Sequence, residues 1–199
     1  MYPRRYRSSV LCDYLSVMET SILNYRKYID PLGIILPTTN MNGWQSRYRE
    51  FPFYTDWAQY FLDYISKCFM HSYALVKNPD LKYPPPIKLH GNNFNTVSWF
   101  NINYSNEFNS LHTHPVHLPT EFELSGVFYV TDPGDMFYYV ENEQQINITS
   151  KAGDLLLFPT NLEHGVLPHD TEETRISIAF NAFLEETPPD SDENVEVFG

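Results

Sequence analysis

The stretch Ser110-Leu111-His112-Thr113-His114-Pro115-Val116-His117 places two histidines two positions apart. Side chains of an extended strand alternate between its two faces, so His112 and His114 point the same way while Thr113 points away. Two imidazoles on one face can bind the same ion. A His-x-His pair can also be an exposed polar pair or a structural pair in a core, so this stretch alone leaves all three interpretations open.

A second stretch, Leu162-Glu163-His164-Gly165, offers a third imidazole. It follows a strand-like run at 154–159, and this separation is typical of a site whose last ligand comes from a later strand of the same barrel. A mononuclear non-haem iron site needs three protein ligands on one side and open positions opposite, where oxygen and an organic ligand bind. We therefore predict a metal site formed by His112, His114 and His164.

Composition indicates a sheet-rich protein. The chain has 199 residues, enough to bury a substantial core, and 16% of them are aromatic. Its formal net charge of -12 would repel a nucleic acid unless a local basic patch outweighed it. The cluster of Arg4, Arg5 and Arg7 is the candidate patch, and we interpret it as a solvated chain end. The charge therefore argues against a nucleic-acid partner.

The two cysteines, Cys12 and Cys68, cannot build a disulfide framework, which favours a reduced, intracellular setting. The first residues lack the apolar segment of a signal peptide, and no apolar run is long enough to cross a membrane. We therefore expect a cytoplasmic protein without a membrane partner. The sequence does not indicate an oligomeric state.

Helical patterns occupy the first part of the chain. Apolar residues recur at the helical period from Ser9 to about Ile29, and Pro31-Leu32-Gly33 ends that run. Thr55 can cap a second helix. The apolar residues of this helix fall on one side, which should pack on a sheet. They are Trp57, Phe61, Tyr64, Ile65, Cys68 and Phe69.

After residue 94, β-branched and aromatic runs alternate with turn residues. Strands are predicted at 96–104, 123–131, 136–140, 144–149, 154–158 and 174–184. Because no helical pattern separates them, they indicate a sandwich or a jelly-roll barrel. The predicted fold is mainly β with N-terminal helices, namely a double-stranded β-helix of the jelly-roll or cupin type packed by two helices.

We predict a single domain over residues 1–184, with a helical front at 1–93 and the jelly-roll core at 94–184. Residues 185–199 are rich in acidic side chains and include Pro188-Pro189. Such a composition cannot bury enough apolar area to order itself. The chain is therefore expected to end in a disordered acidic tail.

The last predicted strand alternates strictly between an apolar face and a polar face. The polar face carries Arg175, Ser177, Ala179 and Asn181. If that face looks into the barrel, Arg175 is a charge in an interior and needs an anion. A guanidinium suits a carboxylate, and Ser177 can add a hydroxyl donor to the same oxygens. Alternatively, Arg175 points outward or pairs with a neighbouring acid, Glu172 or Glu173.

The His-x-His pair, the later His164 and the Arg-x-Ser pair follow one another along the chain in an order that resembles the Fe(II)- and 2-oxoglutarate-dependent dioxygenases. The usual pattern there is His-x-Asp or His-x-Glu, a distal His, and about ten residues later an Arg with a Ser two positions on. More narrowly, the chain is similar to a 2OG-Fe(II) oxygenase subfamily found in bacteria and phages. The resemblance covers residues 40–184 and is carried by Gly43-Trp44-Gln45-Ser46, Ser98-Trp99-Phe100-Asn101, His112-Thr113-His114-Pro115, Leu124-Ser125-Gly126-Val127-Phe128-Tyr129 and Phe158-Pro159…His164-Gly165…Arg175-Ile176-Ser177.

The resemblance implies a role for each candidate residue. His112 and His164 match iron ligands, and Arg175 with Ser177 matches the groups that bind the distal carboxylate of 2-oxoglutarate. Tyr129 stands where prolyl-hydroxylase-like members often place a tyrosine that reaches the same carboxylate. Tyr129 is therefore expected in one cavity with the four residues that match the family motifs, namely His112, His164, Arg175 and Ser177.

The chain departs from the family at His114, which stands where the family has an acid. We predict that His114 is still the third ligand, since three-His sites are familiar in cupin dioxygenases of the same barrel shape. His117 is the alternative ligand at this position. The other histidines are predicted to be structural or exposed, namely His71, His90 and His169.

The resemblance implies an enzyme that uses Fe(II), 2-oxoglutarate and O2. The expected reaction is hydroxylation of a C–H bond of a peptide side chain or small metabolite, with release of succinate and CO2. Two alternatives stay open: a three-His cupin-type dioxygenase without 2-oxoglutarate, and a non-catalytic jelly-roll module with a structural metal. Candidates for the substrate wall are Trp44, Trp99, Phe100 and Tyr104.

Overall fold

A computed structural model describes residues 3–34, 39–47, 55–79, 94–115, 120–132 and 137–185. Its helices are α1 (Ser9–Cys12), α2 (Leu15–Tyr28) and α3 (Asp56–Lys77). Its strands are β1 (Arg4–Arg7), β2 (Asn40–Met41), β3 (Trp44–Gln45), β4 (Phe94–Asn103), β5 (Phe108–His112), β6 (Thr120–Tyr129), β7 (Phe137–Glu141), β8 (Gln144–Ile148), β9 (Asp154–Pro159), β10 (His164–Val166) and β11 (Arg175–Glu185).

The strands form two antiparallel sheets that enclose the interior. The larger sheet has the order β1-β9-β6-β11-β4-β3, and the smaller has the order β2-β5-β10-β7-β8. Strands that are distant in the chain are thus neighbours in each sheet, as in a jelly roll. The predicted fold class is confirmed.

The single helix predicted at 9–29 is wrong, because the structure divides it into α1 and α2. The amides of Asp13 and Tyr14 each donate to the carbonyl three residues back, at 3.2 and 3.1 Å. This is the tighter 3-10 pattern, which ends α1 before α2 begins. The apolar period continues across the turn, so periodicity could not show the break.

Helix α3 buries one stripe of side chains against the larger sheet, as its apolar period predicts. The ring of Phe61 lies edge-on to those of Phe128 and Phe180, with centroids 5.4 and 6.3 Å apart. Thr55 precedes the helix in extended conformation, but its side chain makes no capping hydrogen bond, contrary to the prediction. None of the described helices is long and apolar enough to span a bilayer.

The arginines at the start of the chain form strand β1, an element that was not predicted, while the side chains of Arg5 and Arg7 are 50% and 49% exposed, as a solvated chain end implies. Strand β1 pairs with β9 at the edge of the larger sheet. The Arg7 guanidinium lies 2.7 Å from the carboxylate of Asp154, which is only 4% exposed. The arginine strand therefore covers an open sheet edge and neutralises a buried acid.

The helical front at 1–93 also supplies β1, β2 and β3 to the two sheets. The predicted boundary at residue 93 has all the described helices on one side of it and most of the described strands on the other, but it does not separate two cores. The predicted tail at 185–199 lies outside the described residues, except for Glu185 at the end of β11. The extent of the domain stays a prediction.

Strand β11 lies between β4 and β6 in the larger sheet and separates the core from the interior cavity. On its outer face Ile176, Ile178 and Phe180 are fully buried in the cluster that includes α3. The alternate residues line the cavity, and they are Arg175, Ser177, Ala179 and Asn181. Apolar packing on one face therefore holds the polar residues of the other face in place.

Gly126 on β6 is required by this packing. It is the cross-strand partner of Phe180, and a Cβ at Gly126 would lie 2.3 Å from Cζ of Phe180 and 2.8 Å from Cδ2 of Leu157. Both neighbours are buried, so a methyl group there overpacks the core.

We expect Gly126→Ala to lower the free energy of unfolding by about 1–3 kcal/mol. Urea denaturation followed by circular dichroism measures the loss. The exposed β8 residue Gln144 serves as the control, since Gln144→Ala should change stability by less than about 0.5 kcal/mol. A Gly126→Ala protein as stable as the native one would show that Phe180 moves aside freely.

Candidate metal centre and cavity

A cavity of about 430 Å³ lies between the two sheets and takes residues from both. The larger sheet contributes side chains from β4, β6 and β11, and the smaller sheet contributes them from β5, β7 and β10. All six predicted site residues line this cavity, namely His112, His114, Tyr129, His164, Arg175 and Ser177. The structure therefore brings together residues that are up to 65 positions apart in the chain.

Three imidazoles converge at one end of the cavity. His112 ends β5 and His164 begins β10, and the two residues are paired across these strands. His114 follows two positions after β5, with its Nε2 3.2 Å from Nε2 of His112. One ligand atom from each of the three lies within 4.8 Å of the others. This separation allows one metal ion to contact all three.

Hydrogen bonds direct the remaining nitrogen of each imidazole. Nδ1 of His112 lies 2.7 Å from the carbonyl oxygen of Ser110, and Nδ1 of His164 lies 2.8 Å from that of Leu162. A carbonyl oxygen only accepts, so each ring carries its hydrogen on Nδ1 and leaves a lone pair on Nε2. Lone pairs that face one another across 3.2 Å repel unless a cation lies between them. The site therefore fits a metal ion.

Burial keeps these rings neutral. His164 is 4% exposed, and burial, helped by the nearby His112, lowers its pKa to about 3. Burial also lowers the pKa of His112. Neutral imidazole is the form that binds a metal, so the protein keeps these ligands ready near neutral pH.

Side chains contact the other nitrogen of His114. Its Nδ1 lies 2.6 Å from Oδ1 of Asn181 and 3.0 Å from Oγ of Ser125. The Ser125 hydroxyl also donates to Oδ1 of Asn181 over 2.8 Å. Sequence reasoning placed Asn181 on the polar face of its strand but missed this contact, and it missed Ser125 altogether.

Arg175 is a buried charge in the same cavity. It is 4% exposed, and its Nη1 and Nη2 donate to the carbonyls of Leu167 and Glu107 over 3.0 and 3.3 Å. It forms no ion pair with any carboxylate of the described residues. The alternatives in which Arg175 points outward or pairs with Glu172 or Glu173 are therefore wrong.

The guanidinium of Arg175 keeps its charge and spare donors. Burial lowers its pKa to about 10, which still leaves it protonated near neutral pH. Two of its five N–H groups are used by the two carbonyls, and the others can bind an anion. An unpaired buried cation is costly, so this end of the cavity favours a negatively charged group.

Ser177 and Tyr129 lie beside Arg175 as cross-strand partners on β11 and β6. Both are buried and both line the cavity. Burial raises the pKa of Tyr129, so the phenol keeps its hydrogen and remains a possible donor. The three residues thus offer a guanidinium and two hydroxyls at one end of the cavity.

The described histidines outside the cluster have other surroundings. His169 is buried, with Nδ1 3.0 Å from the Thr171 hydroxyl, and His71 packs edge-on to the ring of Tyr6. Their predicted structural role agrees with these contacts. His90 and the alternative ligand His117 lie outside the described residues.

Of the aromatic residues predicted for a substrate wall, Trp99 lines the cavity, with its ring centroid 5.7 Å from that of His114. Trp44 and Phe100 belong instead to the core beneath the helices. Tyr104 is exposed, and its hydroxyl accepts a hydrogen bond from Arg26 over 2.6 Å. Alternation along β4 separates Trp99 from Phe100, so one faces the cavity and the other the core.

Residues 138–181 match the model of a family described as "Putative 2OG-Fe(II) oxygenase". The matched segment contains His164, Arg175 and Ser177. The chain resembles the 2OG-Fe(II) oxygenases. This confirms the resemblance drawn from the motifs. No curated protein sequence matches the chain.

Solved structures share the fold. A prolyl-4-hydroxylase of Pseudomonas putida is 12% identical, with a TM-score of 0.63 and coverage of 93% of each chain. HygX of Streptomyces hygroscopicus with nickel, 2-oxoglutarate and hygromycin B bound is 12% identical, with a TM-score of 0.53 over 91% of this chain and 82% of that chain. A Trichoplax adhaerens prolyl hydroxylase in complex with a hypoxia inducible factor peptide fragment is 12% identical, with a TM-score of 0.57 over 91% and 83%. At such low identity these similarities establish the fold.

We expect His164→Ala to weaken binding of a divalent metal by at least about tenfold, because loss of a ligand should cost no less than loss of a residue that orients one. Titration of the metal-free protein with Co(II), followed by visible absorption, gives the affinity.

The control is His71→Ala, which removes an imidazole that packs on Tyr6 outside the cluster. This variant should bind Co(II) as the native protein does. Equal affinity of the His164→Ala protein and the native protein would contradict a metal site at these imidazoles.

Proposed function

We propose that the protein is an Fe(II)- and 2-oxoglutarate-dependent oxygenase that hydroxylates a C–H bond of its substrate. The overall reaction consumes the substrate, 2-oxoglutarate and O2 and yields the hydroxylated substrate, succinate and CO2. One observation carries the proposal: Arg175, a buried cation without an acidic partner among the described residues, shares a cavity with three converging imidazoles.

The proposed iron ligands are His112, His114 and His164. Iron(II) bound there would supply the redox chemistry that activates O2, because three ligands on one side leave positions open for oxygen and an organic ligand. An imidazole binds a metal in its neutral form, so three imidazole ligands would contribute no negative charge to the ion. A cosubstrate with two carboxylates would supply that charge, which suits 2-oxoglutarate.

The proposed binding groups for the far carboxylate of 2-oxoglutarate are Arg175, Ser177 and Tyr129. The guanidinium offers N–H donors in a planar fork that matches the carboxylate, and two hydroxyls can complete its hydrogen bonds. The carbonyls of Leu167 and Glu107 hold the guanidinium in place before any ligand arrives. Arg175 therefore needs little rearrangement to bind.

Aromatic side chains keep water away from the metal ligands. The rings of Phe137 and Phe158 lie 5.6 and 4.6 Å from that of His164, measured between centroids. Both are buried, and Trp99 adds a third aromatic side chain next to His114. A dry site strengthens the interactions between the buried charges and limits unproductive reactions.

The cavity lining favours a neutral polar substrate. Its described residues include carboxamides but no Asp, Glu or Lys, so a cationic group would meet Arg175 without a counter-charge. The carboxamides are Gln45, Asn101, Asn103, Asn109 and Asn181. The substrate predicted from the sequence was a peptide side chain or small metabolite, and an uncharged member of either class fits this lining.

The two alternatives are less well supported. A three-His cupin-type dioxygenase that does not use 2-oxoglutarate gives no reason for a buried, unpaired Arg175 in its cavity. A structural zinc site favours four protein ligands, whereas the cluster among the described residues contains three.

The proposed function predicts a specific effect of Arg175→Gln. Loss of the charge should weaken 2-oxoglutarate binding to the Fe(II)-loaded protein by about 2–5 kcal/mol, while the metal affinity stays unchanged. Isothermal titration under anaerobic conditions gives both affinities, and succinate released after air is admitted should fall in parallel.

Arg47→Gln is the matched control, because the side chain of Arg47 is 68% exposed and pairs with Asp30. This variant should bind 2-oxoglutarate normally. If Arg175→Gln also bound 2-oxoglutarate normally and still released succinate, the carboxylate site would lie elsewhere. If native protein consumed O2 without 2-oxoglutarate, the cupin alternative would replace the proposed function.

A further inference from the structure

The three imidazoles of the cluster are not oriented in the same way. His112 and His164 each donate from Nδ1 to the backbone carbonyl two residues earlier. His114 lies beyond the end of β5, and its backbone amide donates to the carbonyl of Thr160. Its ring is oriented instead by side chains of the opposite sheet.

Those side chains form a buried unit. Asn181 and Ser125 are cross-strand partners on β11 and β6, and they are 6% and 0% exposed. Oδ1 of Asn181 accepts the Ser125 hydroxyl over 2.8 Å and lies 2.6 Å from Nδ1 of His114. Because Ser125 holds this oxygen from one side, the carboxamide is directed toward the imidazole.

The contact decides which nitrogen of His114 carries the hydrogen. An oxygen acceptor at Nδ1 requires the N–H form there, which leaves the lone pair on Nε2. Nε2 is the atom that lies 3.2 Å from Nε2 of His112. Without the acceptor, His114 could carry its hydrogen on Nε2 or rotate, and either change removes a lone pair from the metal position.

We propose that Asn181, held by Ser125, is the positioning residue that makes His114 a metal ligand. The pair of Asn181 and Ser125 also fits the presence of His114 where the family has an acid. An imidazole ligand needs a hydrogen-bond acceptor behind it, whereas a carboxylate ligand does not. This inference rests on the metal site of the proposed function but not on 2-oxoglutarate or on turnover.

The first test replaces Asn181 by a side chain of similar shape that cannot accept. Asn181→Leu should weaken Co(II) binding by about 10–100-fold, as is typical when a partner behind a metal-bound imidazole is lost. The visible spectrum of the Co(II) protein should change as well, because one nitrogen ligand is lost. Asn181→Asp keeps an acceptor oxygen and should restore both the affinity and the spectrum.

Asn40→Leu is the matched control. Asn40 is also a buried asparagine, but its side chain accepts from Asn103 and donates to the carbonyl of Trp44, and it lies outside the cavity lining. Its loss should leave the Co(II) affinity unchanged even if it lowers stability. The midpoint of urea unfolding, measured without metal, shows whether each variant folds.

A double-mutant cycle separates positioning from a general structural effect. In protein that already carries His114→Ala, adding Asn181→Leu should cost less than a further twofold in Co(II) affinity. An equal further loss in that background, or unchanged affinity in Asn181→Leu alone, would overturn the proposal. Failure of native protein to bind Co(II) at all would instead overturn the metal site and with it the proposed function.

Discussion

One cavity of this protein contains both a buried cation and three imidazoles that can bind a metal, and this combination is the constraint on which the rest of the structure depends. Three imidazoles direct lone pairs toward one point, and a guanidinium stands nearby without an acid among the described residues. Each feature is costly in an empty cavity. Together they favour a cation at the imidazoles and an anion at the guanidinium.

The two faces of the larger sheet have different roles: the outer face supplies stability and the inner face carries polar residues of the site. The outer face of the larger sheet packs α3 against a layer of buried aromatic and aliphatic side chains, which supplies stability. The inner face carries the polar residues of β11 and β6. The requirement for Gly126 opposite Phe180 shows how closely the outer layer is packed. The apolar layer on the outer face therefore holds the polar residues of the inner face in position.

The smaller sheet adds the second half of the site. Pairing of β5 with β10 places His112 beside His164, and their backbone carbonyl acceptors are part of the same strands and turns. His114 depends on the larger sheet for its acceptor, through Asn181. The metal position therefore links the two sheets, and the proposed metal would bind them together.

Much of the site was predictable because alternation along a strand is a local rule. It placed Arg175 with Ser177 on a common face of β11, and the resemblance to a known family linked them with the histidines in one cavity. The same rule paired His112 with His114, although His114 contacts His112 from beyond the end of β5. The contact of Ser125 and Asn181 with His114 was not predictable, because it depends on the register between distant strands.

The first strand and the break between α1 and α2 were missed for related reasons. Strand β1 holds three arginines and Tyr6, and its partners are β9 and the buried Asp154, both far along the chain. The break depends on hydrogen bonds within one turn, which leave the apolar period intact.

The most direct test of the central claim uses the native protein. Metal-free protein is titrated anaerobically with Fe(II) and then with 2-oxoglutarate, and the visible absorption is recorded. We expect a charge-transfer band that appears only when both are present and saturates at one equivalent of each per chain. Absence of the band, or a band that forms equally well when His112, His114 and His164 are all replaced by alanine, would contradict the account.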